Sequence, residues 1–431
     1  MIFRTPLVAL AFFAFLFTGC SNCLSAQPPA PLPFPQATRS RSLIPPVGSQ
    51  ADLNRECLRS WETILKKLVV TDGCGPGEMR VVVDVSDFGG SLRPTYSEGI
   101  GWGILFAAIM DRPDDSTQPV FDGLNAYRKR HMTSSGFMNW RILANGETGS
   151  RGVAVEAEEN IAMALLIAHI QWGSSGKTGY IGEFLQLSSA LFKNCVLPGK
   201  NLLKPGDTWG GKDLLHPANW KPAYWRTWEI AVPEPRWAPV RKATGSLIHR
   251  LTEMSPTGLP PHWCREDGTE TKAAKPYFAD YTFDYDALQL PIHNALELAW
   301  CGPEEAPEAA GMNAKIARWA KSNRETDPSR IRDGYTLEGK AIGKYRSNAF
   351  LTSFMMAAAS SKDNRAYAKK CFDILVKDKP GDDTYYQAIV RLYGLLVASG
   401  NFPDIPAWLQ SHPLPRDDAP VSYRESPARG Q

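Results

Sequence analysis

Residues 96–110 read YSEGIGWGILFAAIM. From Ile100 to Met110 no position is charged on any face, so a helix here has no solvent side and must be enclosed by neighbours all round. One acidic residue, Glu98, stands at its mouth, behind Ser97, a candidate N-cap. A carboxyl group set against apolar surroundings is poorly solvated and resists ionisation, whereas the helix N-terminus favours the ionised form. Where burial prevails, Glu98 is a general acid; where it does not, Glu98 merely balances the helix dipole.

The rest of the chain repeats the helical theme. Helical patterns run over Asn54 to Val70, Phe121 to His131, Glu156 to Trp172, Gly182 to Phe192, Tyr224 to Ile230 and Trp237 to Leu251. Further ones cover Asp286 to Trp300, Met312 to Ala320, Asn348 to Ala359, Arg365 to Val376 and Tyr385 to Val397. Short strand-like pieces such as Met79 to Val85 are too few for a sheet-based domain. Nearly all-apolar patterns (Ile161 to Ile170) alternate with polar-faced ones (Tyr180 to Lys193), as an inner ring of buried helices within an outer ring requires. Composition does not shift in mid-chain, which indicates one all-α domain from about Asp52 to about Pro413 with a loose Pro/Arg-rich tail over 414–431. Two separate helical bundles are the alternative.

The N-terminus reads as an export segment, residues 1–26. Arg4 precedes an apolar run from Pro6 to Phe17, which is short for a membrane span, and small residues lead to Cys20. Phe17-Thr18-Gly19-Cys20 has the form of a lipoprotein processing site, which makes Cys20 a candidate for lipidation and membrane attachment; the rival cut follows Ala26. Either route leads to the cell envelope or beyond. Residues 27–51, with prolines and serines from Pro28 to Pro45, read as a tether that neither packs nor needs to. In an exported chain, Cys57, Cys74, Cys195, Cys264, Cys301 and Cys371 allow one or two disulfides, with Cys57 to Cys74 the first candidate and buried free thiols the alternative.

Charge narrows the partners. Lys and Arg total 48 against 45 Asp and Glu, a formal charge of +3 that is too small and too dispersed for a nucleic-acid partner. The seven His contain no HExxH pair and no Cys/His cluster of zinc spacing, so no metal is expected. His216, His249 and His293 read as interhelical hydrogen-bonding residues. The glycines of 99–103 lack GxxxxGK and the strand that a dinucleotide-binding turn needs, and no GxSxG elbow is present.

Four segments in order carry a family resemblance. They are Ser97-Glu98-Gly99 with Trp102-Gly103; Ala154-Val155-Glu156-Ala157-Glu158-Glu159-Asn160-Ile161-Ala162 with Trp172; Leu203-Lys204-Pro205-Gly206-Asp207 with Trp209-Gly210-Gly211 and Pro222-Ala223-Tyr224; and Tyr285-Asp286-Ala287 with Pro291. Together with the Tyr385-Tyr386 helix, the sequence resembles glycoside hydrolase family 8, inverting endoglucanases, xylanases and chitosanases built as (α/α)6 barrels. The resemblance implies that Glu98 is the proton donor, that Asp286 is the general base, and that Glu156 grips the distorted sugar. The choice of Asp286 over Asp284 and Asp280 rests on the Tyr-Asp-Ala match. Inversion needs acid and base about 6.5 to 9.5 Å apart, with room for a water, whereas about 5 Å means retention.

The chain departs from the family pattern in two places. Where the second motif has A-[ST]-D-[AG]-D, this sequence has Val155, Glu156 and Glu158, each glutamate one methylene longer than aspartate. The base motif YDA-x-R ends here in Gln289, which offers an amide dipole in place of a bidentate cation. These changes permit a slower enzyme, a pocket reshaped for another sugar, or a retired catalyst that still binds glycan.

Thirteen Trp and fourteen Tyr supply flat rings that suit sugar faces and helix cores alike. Trp102, Trp140, Trp209, Tyr224 and Trp225 are candidate stacking platforms. Each alone is more readily a core residue than a ligand contact, and the group is expected to hold two or three sugar contacts. Tyr285 and Gln289 complete the candidate substrate-binding set, Tyr285 being placed to orient the base or its water. The expected function is endo-hydrolysis of a β-1,4-linked polysaccharide by a cofactor-free monomer, with cellulose-like glucan first and xylan or chitosan behind it. A noncatalytic glycan-binding or envelope scaffold on the same barrel is the other reading.

Overall fold

The computed structural model describes residues 31–36, 42–84, 93–174, 179–232, 236–273 and 281–414. The export segment with Cys20 and Ala26, the Asp280 alternative and nearly all of the 414–431 tail lie outside these residues.

Local sequence explains where the helices begin. α1 (Gln50–Leu68) starts at Ser49, whose hydroxyl accepts from the Asp52 amide, and buries Leu53, Cys57, Trp61, Ile64 and Leu68 on one stripe. α2 (Ser97–Ile109) buries every residue except Glu98. α3 (Gln118–Arg130) is amphipathic, α4 (Val155–Trp172) is buried through most of its length, and α5 (Tyr180–Cys195) is amphipathic again. α6 (Pro222–Ala231) opens on a proline, whose fixed φ suits the first helical turn and whose missing N–H costs nothing there. α7 (Trp237–Met254), α8 (Gln289–Cys301), α9 (Pro307–Ser322), α10 (Asn348–Ala359), α11 (Arg365–Leu375) and α12 (Tyr385–Ser399) continue the alternation. A last short helix, α13 (Ile405–Ser411), packs on α6.

The even-numbered helices form the inner ring. α2 packs on α4, α6 on α8, α8 on α10 and α12, and α10 on α12; each also has an outer partner, α1 lying against α12. Trp102 of α2 meets Tyr393 of α12 at 4.7 Å between ring centroids, which closes the ring between the first and last inner helices. The chain is an (α/α)6 barrel, as the alternation of apolar and amphipathic helices predicts. No helix among the described residues is long and apolar enough to cross a membrane.

Two glycines of the opening stretch have a packing reason. A Cβ on Gly101 would lie 2.7 Å from the backbone oxygen of Ala157, and one on Gly99 would lie 2.7 Å from the Tyr385 hydroxyl. α2 therefore touches α4 and α12 more closely than any side chain permits. Gly101→Ala is expected to destabilise the fold by about 1–3 kcal/mol, the usual cost of overpacking against backbone that cannot yield. Denaturant unfolding measures this, and an unchanged midpoint would mean that the two helices are free to part.

Three small antiparallel sheets sit at the helix starts. β1 (Val69–Val70) pairs with β2 (Arg80–Val81); β3 (Thr95–Tyr96), β4 (Arg141–Ile142) and β5 (Thr148–Ser150) form the second; β6 (Thr282–Phe283) pairs with β7 (Tyr335–Thr336). β3 leads directly into α2, and β6 ends three residues before Asp286, so both strands aim acidic residues at one mouth of the barrel.

The opposite mouth corrects the tether reading. In its described part the Pro/Ser segment is packed: Leu32, Phe34, Ile44 and Val47 are buried in the core. The Leu32 amide and carbonyl both bond the Gln171 side chain near the end of α4 (3.1 and 2.7 Å), the Phe34 amide donates to Asp111 O (2.7 Å), and the Leu43 amide donates to Ala299 O (2.9 Å). Four apolar side chains among the prolines find the exposed ends of the inner helices, and burying them there outweighs the entropy of ordering a stiff, proline-rich chain.

The expected disulfides are not formed. All six cysteines among the described residues are free. Cys57 faces α12, with its Sγ 3.6 Å from Ser399 Oγ, while Cys74 lies in the turn after β1 against its own backbone, so the two do not meet.

Candidate active site

Glu98 is the second residue of α2, Glu156 the second of α4, and Tyr385 and Tyr386 open α12. Lys221 precedes α6, and Asp286 begins a 3-10 turn (Asp286–Leu288) that feeds α8. The starts of the inner helices thus converge at one mouth and bring the acidic residues of distant motifs together.

Glu98 is partly accessible and accepts a hydrogen bond from the Tyr385 hydroxyl (3.0 Å). Its carboxyl is held well above the ordinary glutamate range, first by desolvation, then by the charges of Glu156 and Asp286; the Tyr385 bond and Lys221 oppose this and are outweighed. Burial therefore prevails over the helix terminus. Ser97 is not the N-cap: it is the first helical residue, Tyr96 occupies the cap position, and the Ser97 hydroxyl is buried without a partner.

Glu156 is buried and accepts from Gln289 Nε2 (2.8 Å), which also bonds the Tyr386 hydroxyl (3.1 Å). Burial raises the Glu156 carboxyl, and Asp286 adds to the shift against the opposing pull of Lys221, His216 and Gln289. The Lys221 ammonium is enclosed; it donates to the backbone oxygen of Glu156 and to Glu159 Oε2, each at 3.2 Å. Glu159 also accepts from Trp225 Nε1 (2.8 Å), and burial pushes its carboxyl up to about 7.

Asp286 has the opposite poise. His262 Nε2 donates to Asp286 Oδ2 (3.0 Å), while Nδ1 of the same ring contacts Asp284 Oδ1. With a carboxylate on each nitrogen, His262 is a cation: burial disfavours its charge, but the two aspartates outweigh that and raise it to about 10. His216 Nε2 comes within 3.4 Å of the same Asp286 oxygen without hydrogen-bond geometry, and this buried nitrogen has no hydrogen-bond partner. Desolvation pushes the Asp286 carboxyl up, and the two histidines overcome it, holding Asp286 well below the usual carboxylate range. The two carboxyl groups are thus poised in opposite directions, Glu98 raised and Asp286 lowered.

A protein-family model described as "Glycosyl hydrolases family 8" matches residues 46–400. The chain belongs to this family. It is 31% identical to Endoglucanase 2 of Ruminiclostridium josui over 403 residues, covering 93% of this chain and 83% of the relative. It is 27% identical to the Beta-glucanase of Niallia circulans, covering 93% and 97% of the two chains. Among solved structures, a β-1,3-1,4-glucanase from Paenibacillus sp. X4 superposes with a TM-score of 0.78 at 25% identity, covering 86% of this chain and 99% of that one.

Within this family-8 barrel, several candidate substrate contacts need correction. Trp102, Tyr224 and Trp225 are fully buried: Trp102 stacks on Phe106, Tyr224 lies between Trp228 and Phe402, and Trp225 anchors Glu159. None has a face left for a sugar. Gln289 is also buried and acts on Glu156 instead of on substrate. Tyr285 is 40% exposed, but its hydroxyl donates to Asp333 Oδ2 (3.0 Å) and so does not orient Asp286. Trp140 is half-buried beside Tyr96, and Trp209 is 38% exposed, with its Nε1 donating to Val153 O (2.9 Å) and fixing the ring. Trp140, Trp209 and Tyr285 therefore remain available for stacking.

Other groups were not legible beforehand. His216, expected as an interhelical bonding residue, belongs to the Asp286 cluster, whereas His293 does bridge elements, from Tyr393 OH to Ala218 O. Lys221 and His262 carried no spacing signal, and although the Tyr385-Tyr386 helix was part of the family match, the contacts of the two hydroxyls with Glu98 and Gln289 were not legible. Only the nearness of His216 and Lys221 to the Pro222-Ala223-Tyr224 match points toward them.

The two departures from the family pattern now meet physically, because Gln289 is the partner of Glu156. Glu156→Asp shortens the reach by one methylene and breaks this 2.8 Å bond. Turnover is expected to fall about tenfold or more, roughly 1.4 kcal/mol of barrier. A rise in turnover would mean that glutamate is an imperfect stand-in for the aspartate of the motif.

Proposed function

We propose that this chain hydrolyses a β-1,4-linked glucan in endo fashion with inversion at the anomeric carbon. The observation that carries the reading is the convergence of Glu98, Glu156 and Asp286 at the starts of the inner helices, with Tyr385 on Glu98, Gln289 on Glu156 and His262 on Asp286, an arrangement that raises the Glu98 carboxyl and lowers that of Asp286. In a single displacement, Glu98 gives its proton to the departing glycosidic oxygen while Asp286 takes one from the water attacking the opposite face. Glu156, held by Gln289, secures the distorted ring, and Trp140, Trp209 and Tyr285 hold neighbouring sugars so that their binding energy drives the distortion. Relatives named endoglucanase and β-glucanase support glucan over xylan; more distant ones are named exo-oligoxylanases.

Export to the envelope or beyond belongs to the same proposal, with attachment through a lipidated Cys20; it is supported by Arg4, the apolar run to Phe17 and the small residues before the cysteine. Mass spectrometry of the mature N-terminus reads it directly.

The test of function is release of new reducing ends from barley glucan, carboxymethyl cellulose, xylan and chitosan. Barley glucan and carboxymethyl cellulose should be cut, with a rapid fall in viscosity and with α-configured products by NMR. Binding with no turnover on any of the four would favour the scaffold reading.

A further inference from the structure

The histidines around Asp286 are arranged more elaborately than a general base requires. His216, His262 and Asp286 come from three separate segments, and one ligand atom from each lies within 4.8 Å of the others. Backbone pairing sets this meeting. Leu215 and Cys264 exchange hydrogen bonds (2.8 and 3.1 Å), which clamps the segments of His216 and His262 side by side, and the His262 amide donates to Thr282 O (2.9 Å), tying both to the strand before Asp286. Trp263 then stacks on the His216 ring at 4.1 Å.

The outward nitrogens are already committed. His216 Nδ1 bonds Asn219 Oδ1 (3.0 Å) and His262 Nδ1 contacts Asp284. Both Nε2 atoms turn toward Asp286 Oδ2, at 3.4 and 3.0 Å. Histidines that ligate metals are commonly fixed this way, the far nitrogen donating to a carboxylate or carbonyl so that the near one keeps a defined direction. Ligand atoms around a tetrahedral zinc stand about 3.3 Å apart, given metal–ligand bonds of about 2.0–2.1 Å, which matches the two nitrogen-to-oxygen separations. The His216 Nε2 atom is buried and lacks a hydrogen-bond partner, so a donor is already desolvated and waiting. Asp286 is partly exposed while both histidines are buried, which gives an ion a path of entry from the Asp286 side.

We propose that His216 Nε2, His262 Nε2 and Asp286 Oδ2 form a binding site for a divalent transition-metal ion of the zinc class, and that the bound ion blocks hydrolysis by occupying the carboxylate that serves the attacking water. Two imidazoles and one carboxylate favour zinc, copper, nickel or cobalt over magnesium and calcium. The ion takes the place of the proton on His262 Nε2, which leaves to solvent, and no bond of the substrate is involved. Inhibition rests on the reading of Asp286 as base; binding does not. Residue spacing could not reveal the site, because its three ligands lie 24 or more residues apart.

The experiment is calorimetric titration of EDTA-treated full-length protein with zinc chloride, with the visible spectrum of the cobalt(II) form as a second readout. One ion per chain is expected, with an intense four-coordinate cobalt band. Affinity should fall at least tenfold in His216→Gln and Asp286→Asn and stay unchanged in Cys74→Ser, a control for thiol binding. Should His216→Gln fail to fold by thermal melting, Asn219→Ala, which frees the far nitrogen, is expected to weaken binding about 10–100-fold. Zinc should stop cleavage of barley glucan with half-inhibition at the concentration of half-saturation. Absence of saturable binding, or binding indifferent to His216 and Asp286, overturns the site; saturation without inhibition overturns the blocking role. If no glucan is cleaved even without metal, the functional reading fails while the titration still decides the site.

Discussion

Glu98→Gln is expected to lower kcat on β-glucan by about 10²–10⁴, the usual share of a positioned general acid, while binding of the polysaccharide stays within a few-fold. Glutamine keeps the shape and the Tyr385 contact but has no acidic proton for the leaving oxygen. The fold should not suffer: the native carboxyl resists ionisation because of burial and two like charges, and a neutral isostere removes that conflict. The pH profile carries the sharper sign. Activity needs Glu98 protonated, so kcat/KM should fall as pH rises through its raised pKa, and this limb should vanish in Glu98→Gln. Glu156→Gln removes a charge that raises Glu98 and should move the alkaline limb to lower pH; Lys221→Met removes one that lowers it and should move the limb upward. Limbs that stay in place in both variants would assign the alkaline titration to another group.

Lys221→Met is expected to cost about 3–5 kcal/mol of folding stability, the penalty of removing one partner from an enclosed ion pair. The Lys221 and Glu159 side chains are essentially without solvent contact, 3.2 Å apart, and methionine fills the volume without meeting either Glu159 or the Glu156 carbonyl. The deficit should depend on pH. An acid raised in the folded state loses folding stability as pH climbs from its unfolded value, near 4.5, through its folded one, and Glu159 already sits at about 7 with its lysine present. Without Lys221 the folded value rises further, so the loss grows above pH 7 and shrinks toward pH 5, where Glu159 is neutral in both proteins. Urea unfolding of both proteins at pH 5 and 8 measures this. A deficit equal at the two pH values would place the role of Lys221 in packing alone. Lys221 also bears on Glu156, whose carboxyl its charge pulls down while Gln289 bonds the same group.

The barrel was legible in the order of the residues because its inner helices are enclosed on all sides. Enclosure removes polar faces from whole stretches such as Ile100 to Ile109 and Asn348 to Ala359, a property each segment carries by itself. Helix boundaries were less legible: the pattern read from Asn54 begins at Gln50 behind the Ser49 cap, and the one read from Tyr224 begins at Pro222. The positions of Glu98, Glu156 and Asp286 followed from motifs at the helix starts. Orientation was not legible. Trp102 and Trp209 both stand in matched segments, yet one is sealed against Phe106 and the other lies open, because the neighbours that cover a ring come from elsewhere in the chain. The proline-rich tether misled for the same reason, since its four apolar residues acquire partners only once the helix ends they cover exist.

The amino-acid sequence by itself determined the all-helical architecture and the identity of the acidic residues at the mouth, since hydrophobic period and helix-start chemistry act within a few residues. Tertiary structure alone decided which carboxyl is raised and which lowered, through burial and through His216, His262 and Lys221 arriving from other segments. Ionisation depends on desolvation and on charges within a few ångströms, and distance in space is not written in distance along the chain.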